Sequence, residues 1–357
     1  MARIIYGFSG EGSGHATRTR EMVNYLSVSG HELRLASYDR GYAALKNDFD
    51  VMEIEGLSIA SADNRVSVFN TIRENLKRLP AEASSLRKMQ RLFNDFKPDA
   101  VICDFEPLTA YLAAHFDVPL ITVDNQHHMR YVDHEVPPGH EMNAKLTRHI
   151  VEAMVPWPNV SLITAFVPGE TSNDHSFIFP PIVSERIRRL TRSEGEHTLL
   201  YLTSGFDSLL PVLKSFSREK FFIYGYDRDE TDGNLRFLPK SQKGFADHLA
   251  SASAVIATAG FTLISEALFL RKPYMALPMD GQFEQELNAW QLTNSGYGMG
   301  CESPNEDAVG HFLYRRAEYR QQLQSYSEDD GTMIKEYLGQ LVADGAAMAR
   351  QFKNQQH

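Results

Sequence analysis

One pattern constrains this chain more than any other. A short apolar run ends in glycine or an acid, a helical stretch follows, and the cycle runs twice along 357 residues. In the first pass "RIIYGFSG" reads as a strand and "ATRTREMVNYLSVSG" as a helix that stops at Gly30. "HELRLASYD" and "FDVMEIEG" follow as strands. "TIRENLKRLPAEASSLRKMQRLFNDF" reads as helical and kinked near Pro80, then come "PDAVICDFEP", the helix "LTAYLAAHFD" and the strand "VPLITVDNQH". The second pass runs "HTLLYLTSG", "FDSLLPVLKSF", "KFFIYGY", "LRFLP", "FADHLASA", "SAVIATAG", "FTLISEALFLRK", "PYMALP" and "EQELNAWQLTNSG". Strands separated by helices require a parallel sheet with helices on both faces. The expectation is an α/β chain of two Rossmann-like, doubly wound domains facing across a cleft. The first covers 1–184 and the second 185–330, with a stiff "FPPI" hinge between them and a charged helical tail over 331–357. In such sheets ligands bind beyond the carboxyl ends of the strands, where the strand order reverses. Loops just after strands therefore deserve the closest reading.

Composition narrows the partners. The formal net charge is −10, which argues against a nucleic-acid binder dependent on excess Lys and Arg. The run "RIRRLTR", Arg186 to Arg192, is a local exception. It reads as a solvated face, and it leaves room for contact with an anionic membrane surface. Cys103 and Cys301 form neither a disulfide framework nor a zinc spacing. The first residues lack the pattern of a secretory signal, and no apolar run reaches the ~18 residues that span a bilayer. The expected setting is cytoplasmic, with peripheral attachment at the inner face of the membrane left open.

Five segments lie in the right loops. "GFSGEGSGHATR" places Gly12, Ser13 and Gly14 before a helix whose entrance holds His15. A dinucleotide fingerprint wants glycine where His15 stands, and no Gly-Lys-Ser/Thr follows, so neither a nicotinamide site nor a P-loop is supported. An imidazole there suits proton abstraction from a hydroxyl near neutral pH, and it suits a tight capped turn equally well. "VICDFEP" puts Asp104 and Glu106 at a strand end, where alternation aims both the same way. A carboxylate there would orient His15, or simply cap the next helix. "TVDNQHHMR" offers Asn125 and His127 as polar contacts, although its adjacent histidines make a poor metal pair. In "ATAGFTLISEAL", Gly260 opens a helix whose N-terminus favours phosphate, and Glu266 lies about 9 Å further along the axis, suited to ribose hydroxyls, although ordinary packing accounts for the stretch equally well. In "MDGQFEQELNAWQL", Glu284 and Gln285 open another helix, and a carboxylate beside an amide suits vicinal hydroxyls.

With these residues in view the sequence resembles a GT-B glycosyltransferase that uses nucleotide-diphosphate sugars. The UDP-glycosyltransferase signature runs H-G-G-W-N-S-x-x-E-A-L, then G-x-P-x-x-x-x-P, then D-Q-x-x-N-A. Here the corresponding text is "TAGFTLISEAL", "RKPYMALP" and "EQELNA". The peptidoglycan N-acetylglucosaminyltransferase is similar and also carries a glycine loop ending in His, like "GEGSGH". "DFEPLTAYLAA" and "VDNQHH" look like a poorly characterised bacterial and archaeal branch. The departures are Thr258 where many relatives have His, Ala259 for the first Gly and Leu263 for Ser.

The resemblance implies residue roles. Gly260, Phe261 and Thr262 would meet the diphosphate with their backbone, beside Thr258, helped by Ser204 and Gly205. Glu266 would hold the ribose, Leu238 would offer backbone to the base, and Glu284 with Gln285 would hold the sugar. His15 would be the general base and Asp104 its orienting carboxylate, with Asp104 or Glu106 next in line as base. Gly12, Ser13, Gly14, Asn125 and His127 would face the acceptor. The implied reaction is inverting, metal-independent transfer from a UDP-sugar, a co-substrate rather than a cofactor, to an acceptor hydroxyl, with a lipid-linked or envelope glycan among the open acceptors. A nucleotide-sugar 2-epimerase or hydrolase of the same fold, or a non-catalytic nucleotide-sugar binder, would share the donor features.

Overall fold

The structure is a computed structural model that describes residues 1–56, 61–62, 65–66, 84–202 and 204–355, without the side chains of 61, 62, 65, 66 and 204. Pro80 lies outside the described residues. The chain divides into two compact units. Unit 1 comprises Met1–Ser61, Ser67–Ile182 and Gly331–His357; unit 2 comprises Ala62–Val66 and Val183–Asp330.

In chain order the elements of unit 1 begin with β1 (Arg3–Phe8), α1 (Gly14–Val28), β2 (Glu32–Ser37), α2 (Asp39–Leu45) and β3 (Val51–Glu53). The two-residue strands β4 (Ser61–Ala62) and β5 (Arg65–Val66) pair with each other, and Ala62–Val66 belongs to unit 2. Then come α3 (84–96), β6 (Ala100–Asp104), α4 (Pro107–His115), β7 (Leu120–Asp124) and α5 (His128–Tyr131). The rest of that pass is β8 (Val132–Asp133), α6 (Glu141–Met154), β9 (Val160–Thr164), β10 (Glu170–Thr171) and β11 (Ser176–Phe179). Among the described residues the main sheet has the order β11-β9-β7-β6-β1-β2-β3, with every pairing parallel. The order reverses between β1 and β6, which defines the switch point. The strands β9 and β11, which the sequence reading did not single out, complete one edge of this sheet.

The apolar runs explain the layering. Ile4, Tyr6 and Phe8 are buried on one face against Met22 and Leu26 of α1. Ile5 is buried on the other face among Phe93, Ala110 and Ala113. Strands buried on both faces need continuous rather than alternating apolar sequence. Gly7 is required by a close approach, because a Cβ there would meet Thr109 Oγ1 of α4 at 2.0 Å. The last helical segment, α13 (Thr332–Gln355), is interrupted by non-helical residues at Ala343–Ala346. It was expected to be a tail, yet Ile334, Leu338, Leu341 and Val342 are fully buried in the same cluster as Ile4 and Leu26. A buried leucine contributes about 1.5–3 kcal/mol, so this segment is part of the unit 1 core. Lys335 reinforces it with an ion pair to Glu21 of α1 at 3.0 Å.

Unit 2 contains α7 (Glu185–Arg188), β12 (His197–Tyr201), a 3₁₀ turn at Ser204–Phe206, α8 (Leu209–Ser215), β13 (Lys220–Tyr224), β14 (Glu230–Asp232) and β15 (Leu235–Phe237). It continues with α9 (Gln242–Ser251), β16 (Ala254–Thr258), α10 (Phe261–Phe269), β17 (Tyr274–Leu277), α11 (Phe283–Asn294), β18 (Gly298–Gly300) and α12 (Glu306–Gln322). Its described sheet runs β14-β15-β13-β12-β16-β17-β18, parallel except for the antiparallel edge β14–β15. The order reverses between β12 and β16. The basic run is largely neutralised: Arg188 pairs with Asp330, Arg189 with Glu185, and Arg192 with Glu328. Among the described residues no helix is long and apolar enough to cross a membrane.

Candidate active site

The switch point of unit 1 gathers ionised side chains. The chain leaves β1 through a glycine turn in which Gly12 has φ +76°, the left-handed region that glycine adopts without strain. Ser13 caps α1 without a side-chain bond, and Gly14 is its first helical residue. Positions three apart share a helix face, so His15 and Arg18 point the same way. His15 Nδ1 donates to Asp104 Oδ1 at 2.6 Å. Arg18 grips the same carboxylate twice, with Nε on Oδ2 at 2.8 Å and Nη2 on Oδ1 at 2.6 Å. Its Nη1 donates to Asn125 Oδ1 at 3.0 Å. The Asp104 side chain is fully buried, and that of His15 is 11% exposed. Burial raises the Asp104 carboxyl, but the Arg18 charge and then His15 outweigh burial and hold it below its ordinary range.

The tautomer follows from this network. An ionised carboxylate only accepts, so Nδ1 carries a proton, and in the neutral ring the lone pair lies on Nε2. Among the described residues no group bonds His15 Nε2. Arg18 is the member of this cluster that sequence reasoning missed. A lone arginine on a helix reads as solvated surface, and the only signal was its spacing from His15.

Glu106 does not join this cluster. Alternation fails because Phe105 takes φ +55° and turns the chain after β6. Glu106 becomes the N-cap of α4, accepting from Leu108 N and Thr109 N at 2.8 Å each, with Pro107 in the first turn. Both its oxygens are engaged and it is fully buried, which removes it as a base. His127 is also turned inward. Its Nδ1 donates to Asp124 Oδ2 at 2.7 Å, its ring stacks on Tyr131, and the residue is fully buried. That placement withdraws it from the exposed surface expected of an acceptor contact. Neighbouring His128 is held neutral, as burial and then His134 push it down to about 3.

The switch point of unit 2 is built from backbone. Gly260 is the N-cap of α10, and a Cβ there would meet open space. The first-turn amide at Thr262 has no carbonyl within its own helix to bond. The preceding loop is braced from two sides. Asn288 of α11 donates to Ala259 O at 3.0 Å, and Tyr274 donates its hydroxyl to Thr258 O at 2.7 Å. The turn carrying Ser204 and Gly205 follows β12, across the reversal; the Ser204 side chain lies outside the described residues.

Three donor-site expectations change. Gln285 is spent on its own loop, accepting from Met279 N at 3.2 Å and donating to Gln282 Oε1 at 2.7 Å. Leu238 has given its amide to Ile223 O at 2.9 Å, so only its carbonyl is left for a base. Glu266 accepts from Ser184 Oγ at 2.8 Å, a partner 82 residues away. Burial pushes its carboxyl up, opposed by Ser184 and then Arg186. Glu284 sits in the first turn of α11, half-buried. Among the described residues, no three His, Cys, Asp or Glu side chains gather in a way that could hold a metal ion.

Known proteins share this plan. The profile described as Glycosyl transferase family 1 matches residues 2–316. An uncharacterized glycosyltransferase of Methanosarcina acetivorans is 24% identical over 326 residues, 83% of this chain and 84% of that protein. The UDP-N-acetylglucosamine–N-acetylmuramyl-(pentapeptide) pyrophosphoryl-undecaprenol N-acetylglucosamine transferase of Latilactobacillus sakei is 23% identical over 252 residues, 65% of this chain and 66% of that enzyme. Among solved structures, the glycosyltransferase VinC in complex with dTDP is similar with a TM-score of 0.67 at 12% identity, covering 98% of this chain and 100% of VinC. Two doubly wound sheets matched end to end, and a profile spanning nearly the whole chain, place it: the protein belongs to glycosyl transferase family 1 and is a glycosyltransferase of the GT-B fold.

Proposed function

We propose that this enzyme moves a sugar from a UDP-sugar to an acceptor hydroxyl with inversion and without a metal ion. The observation that carries the reading is the His15–Asp104 contact of 2.6 Å at the unit 1 switch point, with Nε2 left to act. In this reading unit 1 supplies the base and unit 2 the donor site. The acceptor O–H gives its proton to His15 Nε2 and its oxygen bonds the anomeric carbon. The bond from that carbon to the diphosphate breaks, and UDP leaves with the electron pair. The positive end of α10 would meet the departing charge. Glu266 would hold the ribose, whose hydroxyls would donate to its carboxylate as Ser184 Oγ does to Oε1. Glu284 would hold the sugar, while Gln285 keeps the Met279–Gln282 loop in shape.

For the acceptor we infer a lipid-linked glycan precursor, met at a membrane surface. The similarity to the undecaprenol-dependent enzyme supports this. So does α6, where Met142, Leu146 and Ile150 line one edge with 82%, 50% and 43% exposure, next to exposed Lys145 and Arg148. An apolar edge beside cations suits the interface of an anionic bilayer. The paired basic run offers less.

A thermal-shift panel of nucleoside diphosphates and their sugars tests the donor, because a ligand bound only by the folded state raises its stability. UDP and one UDP-sugar should stabilise most, and turnover should survive EDTA. Free epimerised sugar released without an acceptor would overturn the transferase reading. Sedimentation with phosphatidylglycerol vesicles tests the membrane reading, and Leu146→Glu with Ile150→Glu should abolish it.

A further inference from the structure

The dyad at the unit 1 switch point is not an isolated histidine and carboxylate. Oδ1 of Asp104 receives two donors at 2.6 Å, His15 Nδ1 and Arg18 Nη2, while Oδ2 receives Arg18 Nε. The guanidinium also stands 3.2 Å from His15 Nδ1. Its side chain is 6% exposed, so water screens it poorly. Two consequences follow from Coulomb's law. Much of the Asp104 charge is already compensated before His15 is considered. A proton added to His15 would place an imidazolium against a guanidinium.

We propose that Arg18 is a positioning residue that fixes Asp104 by its two-point grip and keeps the His15 ring neutral, with its lone pair on Nε2. The carboxylate then orients the ring without converting it into a resting cation. A base must be unprotonated before it can act, and a guanidinium 3.2 Å away opposes the charged ring. Asn125 holds the remaining guanidinium nitrogen and so fixes the plane of the fork. The other ionisable groups around the cluster are Tyr6 on β1, Cys103 on β6, Asp124 on β7 and His127 bonded to Asp124. Asp124 acts on Arg18 in the same sense as Asp104. It keeps the guanidinium charged and lies outside the direct contacts of His15.

This inference rests on His15 being the base, but its test needs no donor or acceptor. The protein is labelled at the histidine Cε1 carbons, the His15 signal is assigned by its loss in His15→Gln, and the ring is titrated by NMR in the free enzyme. In Arg18→Gln the midpoint should rise by about one pH unit or more, as expected when a neighbouring cation is removed. In Arg18→Lys, which keeps the charge but not the fork, it should rise less. If Arg18→Gln does not fold, Arg18→Lys set against the parent carries the test, and its Cε1 line should broaden or split as the ring loses its fixed partner. A folded variant whose His15 titration and line shape match the parent overturns the inference. UDP binding by calorimetry is recorded on the same samples. A parent that ignores UDP defeats the donor reading alone, whereas unchanged titration with intact UDP binding defeats the role of Arg18 alone.

Discussion

At the switch point of unit 1, His15, Arg18, Asp104 and Asn125 interlock through side-chain bonds of 2.6–3.0 Å. At the corresponding point of unit 2, between β12 and β16, the loop presents Gly260, a helix start and carbonyls already bonded by Asn288 and Tyr274. Each sheet reverses its strand order at one switch point, and the materials there differ. A group that must accept a proton needs a lone pair with a fixed tautomer, which only a held side chain provides. A group that must receive phosphate oxygens can use backbone amides, which every residue carries. The first arrangement buries charge and depends on every partner. The second meets its ligand with backbone and tolerates change.

The largest expected difference tests that dependence. Asp104→Asn leaves Arg18 buried without its counter-charge and should cost about 3–5 kcal/mol of stability in urea unfolding. A loss no greater than that of a surface substitution would break the contrast. Next, His15→Ala should lower transfer on the order of 10²-fold or more while UDP affinity by calorimetry stays unchanged. A smaller effect follows from Glu266→Gln, which should weaken UDP binding by about 1–3 kcal/mol and yet raise the melting temperature at pH 7. The Glu266 carboxyl is pushed above its ordinary 4.5 by burial, so its ionisation opposes folding above the shifted value. The gain of the Gln variant should therefore shrink as pH falls from the raised value toward about 4.5 and be gone below it. Asp104 has the opposite sign. Its depressed carboxyl stabilises the fold above the ordinary value and loses that contribution as pH falls toward the depressed one. The smallest stability effect belongs to Gly260→Ala, within a few tenths of a kcal/mol, since its φ of −72° suits alanine and the Cβ meets nothing. Unchanged UDP affinity in that variant would argue against close phosphate approach there.

Legibility in the sequence followed the range of the interaction. Helix entrances and strand ends are local, so His15 and Asp104 were readable from glycine punctuation and apolar runs. Glu106 was ambiguous because an acid before proline serves equally as a cap or as a site residue, and one left-handed residue, Phe105, decided the matter. Gln285 and His127 carry site-like chemistry but were turned to local duties by Gln282 and Asp124.

The amino-acid order by itself determined the two parallel sheets, their strand ends and the helix starts beside them, because backbone hydrogen bonding and apolar periodicity act over a few residues. Only the tertiary structure decided which charges are buried and which terminal segment joins which core. Arg18 becomes an internal cation through a carboxylate 86 residues away, and α13 becomes core through strands at the opposite end of the chain. The physical reason is common to both. Removing a charge or an apolar face from water is favourable only with its partner in place, and such partners are brought together by the fold rather than by sequence proximity.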